Sequence, residues 1–565
     1  MMKKVIKKLL AALLAVAMLC AMAIPAFAYN PGDTEKEDLY DHHSYTAFQI
    51  FKGVISKNNP TLSDVTWGSH ITDPAAFLEQ LKNDSTIGAQ FQSIDATDAT
   101  DAATVQKVLA VISQWDDSDA NSIAFARFVC HYLYSDGGAP KSNIVGHGGA
   151  IEIREKGYYL IVDDINISEG DFYHAYNSFL LVNVTEAPNN VIINHKVVKP
   201  TVEKKVYDND INDISSAGGW GSSADHAINE PFQFRLIAKL PAGKDEGRAY
   251  DYYDTYAVCF NDTLSAGITF DNLDTVEIAN VDGSDSKEIT DTDYTLVKDL
   301  HEAGLPSSIK LSIDNVKTCA AAAGLDLNDG ATITVTYTAH LNDKATVNTA
   351  NGSKTTDNKN SVFLQYSNNP RIDTSLDHTT TSEVCVYTYQ LNNTKYHDDD
   401  NPNNVLAGAG FRLYSDEACH DEDEIKLKMN DDGTYSRDFS TEGKGVEMIS
   451  GQDGQFNVKG LDAGTYYLKE TFAPKGYNKL SDPVKVTINA TINKTTGALE
   501  SWTVNGSAPT ADVTVPVVKI ENKKGALLPD TGGMGTVLFT VFGVLIVALG
   551  AGWYVKSNRK SRHAA

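Results

Sequence analysis

Three stretches in the C-terminal third of the chain each place one reactive polar residue among apolar side chains. Because side chains alternate across a β-strand, residues two apart share a face. The three faces contain Leu391 with Lys395; Tyr466 and Leu468 with Glu470; and Val518 and Ile520 with Asn522. An isolated polar group on an apolar face is costly. We therefore expect Lys395, Glu470 and Asn522 to meet one another inside a core.

An amine, a carboxyl and a carboxamide that meet in an apolar core can react. Burial favours the neutral forms of Lys395 and Glu470. The neutral amine can then attack the side-chain carbonyl of Asn522 while Glu470 polarises that carbonyl and moves protons. Ammonia leaves, and an intramolecular isopeptide bond results. The alternative interpretation is a surface lysine, a capping asparagine and a solvated glutamate.

The segment Tyr466–Tyr477 reads YYLKETFAPKGY, which matches the pilin "E box", YxLxETxAPxGY. The surrounding region resembles the Cna protein B-type domain of pilins and wall-anchored adhesins. This resemblance implies a β-sandwich over residues 383–524, with Lys395 on its first strand and Asn522 on its last. It also implies that Glu470 promotes the isopeptide bond between them.

A middle segment repeats the pattern with aspartate as the acid. Its apolar faces contain Val202, Lys204 and Val206; Val258, Phe260 and Asp262; and Val362, Leu364, Tyr366 and Asn368. Residues 199–372 resemble the fimbrial isopeptide-forming domain of backbone pilins, which implies a Lys204–Asn368 bond promoted by Asp262. Strand parity favours Lys204 over Lys205 and Asn368 over Asn369, but it leaves both doublets open.

The two ends of the chain carry export and membrane signals. A basic start, an apolar run and Ala26-Phe27-Ala28 predict a secretory signal peptide over residues 1–28. A second apolar run, from about Val537 to Val555, is long enough to span a bilayer. Basic residues follow it directly, and the positive-inside rule predicts that everything before the span lies outside the cell.

A pentapeptide lies just ahead of this span, and it consists of Leu528, Pro529, Asp530, Thr531 and Gly532. Pentapeptide, span and basic tail together (residues 528–565) resemble the cell-wall sorting signal of Gram-positive bacteria. The resemblance implies that a sortase cysteine attacks the Thr531 carbonyl and holds the chain as a thioester, which an amine then resolves. The chain is then a sortase substrate and not itself an enzyme.

A lysine near the end of the first domain is a candidate for that amine. Lys196 ends the run Val191–Lys196, just before the middle domain opens. Backbone pilins carry a lysine at this place, usually within a Tyr-Pro-Lys motif, whereas this chain has Asn-His-Lys. The resemblance implies that a pilus-type sortase joins Thr531 of one subunit to Lys196 of the next. Lys199 is the nearest alternative.

Composition limits the remaining functions. The formal net charge is −26, and removing the four lysines of the leader and the four basic residues of the tail leaves −34. Such a chain repels nucleic acid. Five widely spaced cysteines remain after the leader is removed, without a CxxC pair, so buried free thiols are expected and an isolated disulfide stays open. We find no nucleophile-elbow, Walker or dinucleotide motif, and expect no cofactor and no metal.

Short β-rich runs separated by turns predict tandem immunoglobulin-like β-sandwiches in an elongated rod. The N-terminal domain, residues 29–198, is expected to be mixed α+β, because Asp73–Leu81 and Ala102–Gln114 show helical apolar spacing. It resembles the first domain of backbone pilins.

The function predicted from these features is the structural shaft subunit of a covalent pilus, anchored to peptidoglycan at the cell surface. Its expected partners are a pilus-type sortase, a housekeeping sortase, other copies of itself and peptidoglycan, with minor pilins and host surface ligands as further candidates. The alternative is a minor pilin or a stand-alone anchored adhesin.

Overall fold

The structure is a computed structural model of the chain. It describes residues 43–56, 59–115, 120–134, 145–147, 150–165, 179–185, 187, 189–192, 199–209, 219–244, 248–301, 304–347, 357–397, 404–439, 445–493, 496–510, 513–525 and 533–560. The predicted leader, Lys196 and the pentapeptide 528–532 lie outside these residues.

The N-terminal segment combines a sheet with three helices. Its strands are β1 (His43–Ser56), β2 (Asn59–Trp67), β3 (Val145–His147), β4 (Ala150–Ile153), β5 (Gly157–Ile165), β6 (Phe179–Val184) and β7 (Asn189–Ile192), and its helices are α1 (Pro74–Lys82), α2 (Ala102–Ile112) and α3 (Ala120–Tyr134). The main sheet has the order β2-β1-β5-β6, with β3 beside β1, and β4 pairs with β7. Apolar residues of the helices and the sheet, such as Phe77, Phe125 and Leu160, share one buried core.

The middle segment consists of two sheets that enclose a core. Its elements are β8 (Thr201–Tyr207), β9 (Trp220–Gly221), β10 (Ser223–Asp225), β11 (Pro231–Leu240), β12 (Val258–Leu264), β13 (Ile268–Ala279), β14 (Lys287–Glu288), β15 (Thr295–Asp299), β16 (Ser307–Ile313), α4 (Val316–Ala322), β17 (Ala331–Leu341), β18 (Lys359–Ser367), β19 (Leu376–His378) and β20 (Ser382–Tyr387). One sheet has the order β14-β13-β17-β11-β8-β9, and the other has the order β10-β20-β18-β12-β16-β15 with β19 beside β18. Strand β11 illustrates why the two sheets pack together. Its residues alternate between buried and less buried along most of its length, so one face of the strand points into the core.

The C-terminal segment is again built mainly of strands. They are β21 (Tyr389–His397), β22 (Gly410–Tyr414), β23 (Glu424–Ile425), β24 (Leu427–Met429), β25 (Tyr435–Arg437), β26 (Met448–Ile449), β27 (Val458–Leu461), β28 (Gly464–Phe472), β29 (Val484–Ile492), β30 (Leu499–Val504) and β31 (Val517–Asn522), followed by helix α5 (Gly533–Lys560). One sheet has the order β24-β25-β27-β21-β31. In the other, β22 pairs with β23, β26 and β28, and β28 pairs with β29.

The chain divides into two compact units. The first comprises residues 1–389, 460–463 and 490–502, and the second comprises residues 390–459, 464–489 and 503–565.

The expected fold class is confirmed, because the described residues are mainly β and the N-terminal segment combines its sheet with three helices. The two helices predicted there are present. The first begins where Asp73 caps it, its side chain accepting a hydrogen bond from Ala76 N at 3.0 Å. The third helix, Ala120–Tyr134, was not predicted. All five described cysteines are free, and all but Cys385 are buried.

Candidate isopeptide centres

Lys204 lies between the two sheets of the middle segment, on β8, and is 2% exposed. Its burial lowers the pKa of the amine to about 8, against the opposing effect of the nearby Asp262 carboxylate. Its Nζ donates to Asp262 Oδ1 and, at 3.2 Å, to the Tyr337 hydroxyl. An amine with this pKa is neutral in roughly a tenth of molecules at pH 7, far more often than an ordinary lysine with a pKa near 10.4, and the neutral form is the nucleophile.

Tyr337 links the other members of this cluster. Its hydroxyl donates to Asp262 Oδ2 at 2.6 Å and accepts from Asn360 Nδ2 at 2.5 Å. Asn360 is fully buried, and its carbonyl oxygen Oδ1 has no hydrogen-bond partner. Lysine, aspartate, tyrosine and asparagine thus form one buried cluster, which we call the middle centre.

The structure brings Asn360 into this cluster, whereas it places Asn368 elsewhere on the same side of the sheet. Asp262 lies opposite Val362 in the pairing of β12 with β18. A strand rises about 3.3 Å per residue, so Asn368 lies about 20 Å along the strand direction from that position. Its Oδ1 accepts from Ser375 Oγ at 2.8 Å. Strand parity could not separate the two asparagines, because both share the face of Val362.

The C-terminal segment contains the second cluster, which we call the C-terminal centre. Lys395, Glu470 and Asn522 lie on β21, β28 and β31 and are 0%, 1% and 0% exposed. Asn522 Nδ2 donates to Glu470 Oε1 at 2.8 Å, and Lys395 Nζ donates to the Ile520 carbonyl at 2.9 Å. Strands β21 and β31 are parallel neighbours with Lys395 opposite Ile520, two residues before Asn522.

The environment of this second lysine resembles that of the first. Burial lowers the pKa of Lys395 to about 8, and Glu470 opposes the shift. The other Glu470 oxygen, Oε2, accepts from Leu480 N at 2.7 Å, which fixes the carboxyl. Asn522 Oδ1 is buried without a hydrogen-bond partner. All three residues predicted from the sequence are therefore placed in one core.

Both centres contain the groups for the same chemistry. In each centre a lysine amine with a lowered pKa shares a buried cluster with a carboxamide. A buried acid can accept the proton that the amine loses and supply one to the leaving nitrogen. Residues Tyr337 and Asn360 are additions to the set predicted from the sequence. Asn360 lies only two residues before Val362, so it could have been considered as a candidate on parity alone.

Helix α5 carries the membrane signal at the end of the chain. Residues Val537–Ser557 are long and apolar enough to cross a membrane, and they are not buried against the rest of the protein. This span agrees with the run predicted from the sequence.

Comparison with known families gives two matches along the chain. Residues 391–500 match the SpaA prealbumin-like fold domain. Residues 520–562 match the LPXTG cell wall anchor motif.

Several individual proteins to which the chain is similar are described as fimbrial subunits or pilins. A fimbrial subunit type 1 of Actinomyces viscosus is 29% identical over 219 residues, which is 36% of this chain and 38% of that protein. The T6 backbone pilin of Streptococcus pyogenes serotype M6 has a TM-score of 0.43 at 14% identity, covering 86% of this chain and 97% of the pilin. The full-length major pilin SpaD of Corynebacterium diphtheriae has a TM-score of 0.37 at 18% identity, covering 67% and 81%.

The anchor match defines the class of protein, which is an LPXTG-anchored protein of the bacterial cell wall. The prealbumin-like domain and the fimbrial relative make the chain similar to fimbrial subunits.

Proposed function

We propose that this protein is the shaft subunit of a covalent cell-surface pilus, and that each of its two centres forms an intramolecular Lys–Asn isopeptide bond. The observation that carries the second part is the burial of a lysine, an acid and an asparagine together in each centre. Unreacted, these polar groups would be costly to hold in a core. Conversion into an amide removes both the buried amine and the separate carboxamide.

The bonds we propose are Lys204–Asn360 in the middle centre and Lys395–Asn522 in the C-terminal centre. In each, lysine Nζ attacks Cγ of the asparagine, and the acid takes a proton from the attacking nitrogen. The same proton then passes to Nδ2, the Cγ–Nδ2 bond breaks, and ammonia leaves. Asp262 and Glu470 act as the acids, and Asn360 replaces Asn368 as the partner of Lys204.

Intact mass spectrometry of the secreted form, residues 29–531, tests both bonds. The measured mass should fall below the sequence mass by two molecules of ammonia. A mass equal to that of the sequence would contradict the proposal.

Polymerisation is proposed to occur through Thr531 and Lys196. Sortase breaks the Thr531–Gly532 peptide bond and keeps the chain as a thioester. The Lys196 amine of another subunit then forms an amide with the Thr531 carbonyl and releases the sortase thiol. Joining two different surfaces head to tail does not close on itself, so it gives a filament. The lysines of the two centres are buried and cannot serve as this acceptor.

An SDS gel of cell-wall extract distinguishes a shaft subunit from a singly anchored protein. The wild type should give a ladder of high-mass species, and Lys196→Ala should reduce it to the monomer band without loss of wall anchoring. Lys199→Ala is the matched control and should keep the ladder. A ladder that persists in Lys196→Ala and disappears in Lys199→Ala would move the junction to Lys199. A single band in the wild type would contradict the shaft function.

A further inference from the structure

A group of titratable side chains in the first unit belongs to neither isopeptide centre. His226 follows β10 directly, Glu230 comes four residues later, and Asp462 lies in the short 460–463 piece of the same unit. One ligand atom from each lies within 4.8 Å of the other two. His226 is 1% exposed and Asp462 is 8% exposed.

Further acidic residues surround these three. Asp208 and Asp225 are both buried, and the backbone N–H of Asp225 donates to Asp208 Oδ2 at 3.4 Å. Burial raises the pKa of Asp462 well above its ordinary value, and the charges of Asp225, Glu230 and Asp208 add to this effect. Four carboxyl groups in one largely buried site repel one another unless protons or a cation neutralise them.

The imidazole of His226 presents an unused lone pair to this site. Its Nε2 lies 2.7 Å from the Tyr207 carbonyl oxygen, which can only accept, so Nε2 carries the hydrogen. With the hydrogen on Nε2, the neutral imidazole has its free lone pair on Nδ1. Nδ1 is buried and has no hydrogen-bond partner. The ring is held flat against Phe232, with ring centroids 4.2 Å apart.

We propose that His226, Glu230 and Asp462 bind one divalent transition-metal cation, Zn²⁺ or Mn²⁺, through His226 Nδ1 and one carboxylate oxygen from each acid. Metal-bound histidines commonly donate their other ring N–H to a carbonyl, as His226 does to Tyr207. The carboxyl of Glu230 is likewise held, because it accepts from Ala227 N at 3.0 Å and from Asn209 Nδ2 at 2.9 Å.

The ligand types select the class of metal. An imidazole nitrogen suits zinc and the other first-row transition metals, whereas Ca²⁺ and Mg²⁺ prefer oxygen ligands alone. Carboxylates extend the set to Mn²⁺. This site could not be predicted from the sequence, because its residues have no ligand-motif spacing and Asp462 is far from the others along the chain.

Metal binding to the secreted form, residues 29–531, tests the site directly. The protein is stripped with a chelator, mixed with ZnCl₂, MnCl₂, CaCl₂ or MgCl₂, passed through a gel-filtration column and analysed for bound metal. We expect one Zn²⁺ or Mn²⁺ per chain and an increase in Tm with that ion, because a ligand that binds only the folded state stabilises it. Ca²⁺ and Mg²⁺ should give neither.

His226→Gln and Asp462→Asn should each weaken binding by ~10-fold or more. The matched control is His340→Gln, because His340 also lies beside an acid, Asp271, at 2.8 Å but outside this group. It should bind as the wild type does. Circular dichroism and cooperative thermal unfolding of each metal-free variant report whether the surrounding domain folds, independently of metal.

Equal retention of metal by the wild type and both site variants would overturn the site. So would the absence of bound Zn²⁺ and Mn²⁺ from the wild type, and a higher Tm for Asp462→Asn in that case would show that protons alone neutralise the carboxyl groups.

Discussion

The middle centre and the C-terminal centre contain the same three kinds of group, a lysine, an acid and an asparagine, in different arrangements. In the middle centre the acid is hydrogen-bonded to the lysine, because Asp262 accepts from Lys204. The hydroxyl of Tyr337 connects this acid to Asn360. In the C-terminal centre the acid is hydrogen-bonded to the asparagine instead, because Glu470 accepts directly from Asn522. The acid of the middle centre is thus placed to take the proton of the amine first, whereas Glu470 is placed at the carboxamide.

The two bonds also differ in what they would join. Lys204 lies in the β8 sheet and Asn360 in the β18 sheet, so their bond would connect the two sheets of one sandwich. Lys395 and Asn522 lie on neighbouring strands of a single sheet. On the proposed chemistry, the groups need to converge in a dry core, and no particular strand pairing is required.

Removing the acids should have the largest effect. Asp262→Ala and Glu470→Ala should each restore the mass of one ammonia and leave the other bond intact. Each proposed cross-link closes a loop of more than ~100 residues in the unfolded chain. On the chain-entropy model used for disulfides, losing one cross-link should lower the unfolding free energy by ~4–5 kcal/mol. Intact mass and denaturant unfolding measure the two effects.

Asp377→Ala is the control for Asp262→Ala. Asp377 is a buried acid of the same segment that accepts from Tyr366 at 3.0 Å. It should destabilise the protein without changing the mass deficit. A persistent two-ammonia deficit in Asp262→Ala would exclude Asp262 from the chemistry.

Substituting Asn360 and Asn368 one at a time tests which of the two asparagines reacts with Lys204. Asn360→Ala should abolish the middle bond, while Asn368→Ala should leave it intact, because Asn368 lies about 20 Å farther along the strand. Peptide mapping should find a Lys204–Asn360 cross-linked peptide in the wild type. A Lys204–Asn368 peptide would show that the sequence-based choice was right.

Loss of the tyrosine hydroxyl should affect only one centre. Tyr337→Phe should slow the middle bond by ~10²-fold, the lower end of general acid–base contributions, and leave the Lys395–Asn522 bond as an internal standard. Tyr366→Phe is the matched control, since its hydroxyl also donates to a buried acid. The fraction of each cross-linked peptide in protein collected at timed intervals after a pulse of synthesis provides the measurement. Equal rates in Tyr337→Phe and Tyr366→Phe would limit Tyr337 to packing.

A pH effect should appear where an unreacted lysine remains. In Asn522→Ala, Lys395 keeps its amine. The pKa of this amine is about 8 in the folded protein, against the ordinary value of 10.5 that applies to the unfolded chain. Between these values the unfolded chain binds more protons, so stability should rise with pH from about 8 to about 10.5. Below that window the penalty for burying the charge is fully present. Denaturant unfolding across this range should show the rise in Asn522→Ala and not in the double variant Lys395→Met/Asn522→Ala.

The inward-facing residues of the strands, two of the helices and the membrane span could be predicted from patterns among residues close together in the sequence. Strand parity identified the inward residues Lys204, Asp262, Lys395, Glu470 and Asn522, because a period of two is a local property of the backbone. Helical spacing found two of the three N-terminal helices. Apolar length and flanking charge found the span, because crossing a bilayer is a property of one segment alone.

Tertiary structure decided which inward residues meet. Asn360 and Asn368 are equivalent by parity, and only the register of β12 against β18 places Asn360 near Lys204. Tyr337 enters from another strand of the facing sheet, and Asp462 comes within 4.8 Å of His226 from a remote part of the chain. Such encounters depend on how strands pair and sheets stack, which the alternation of residues along one strand does not encode.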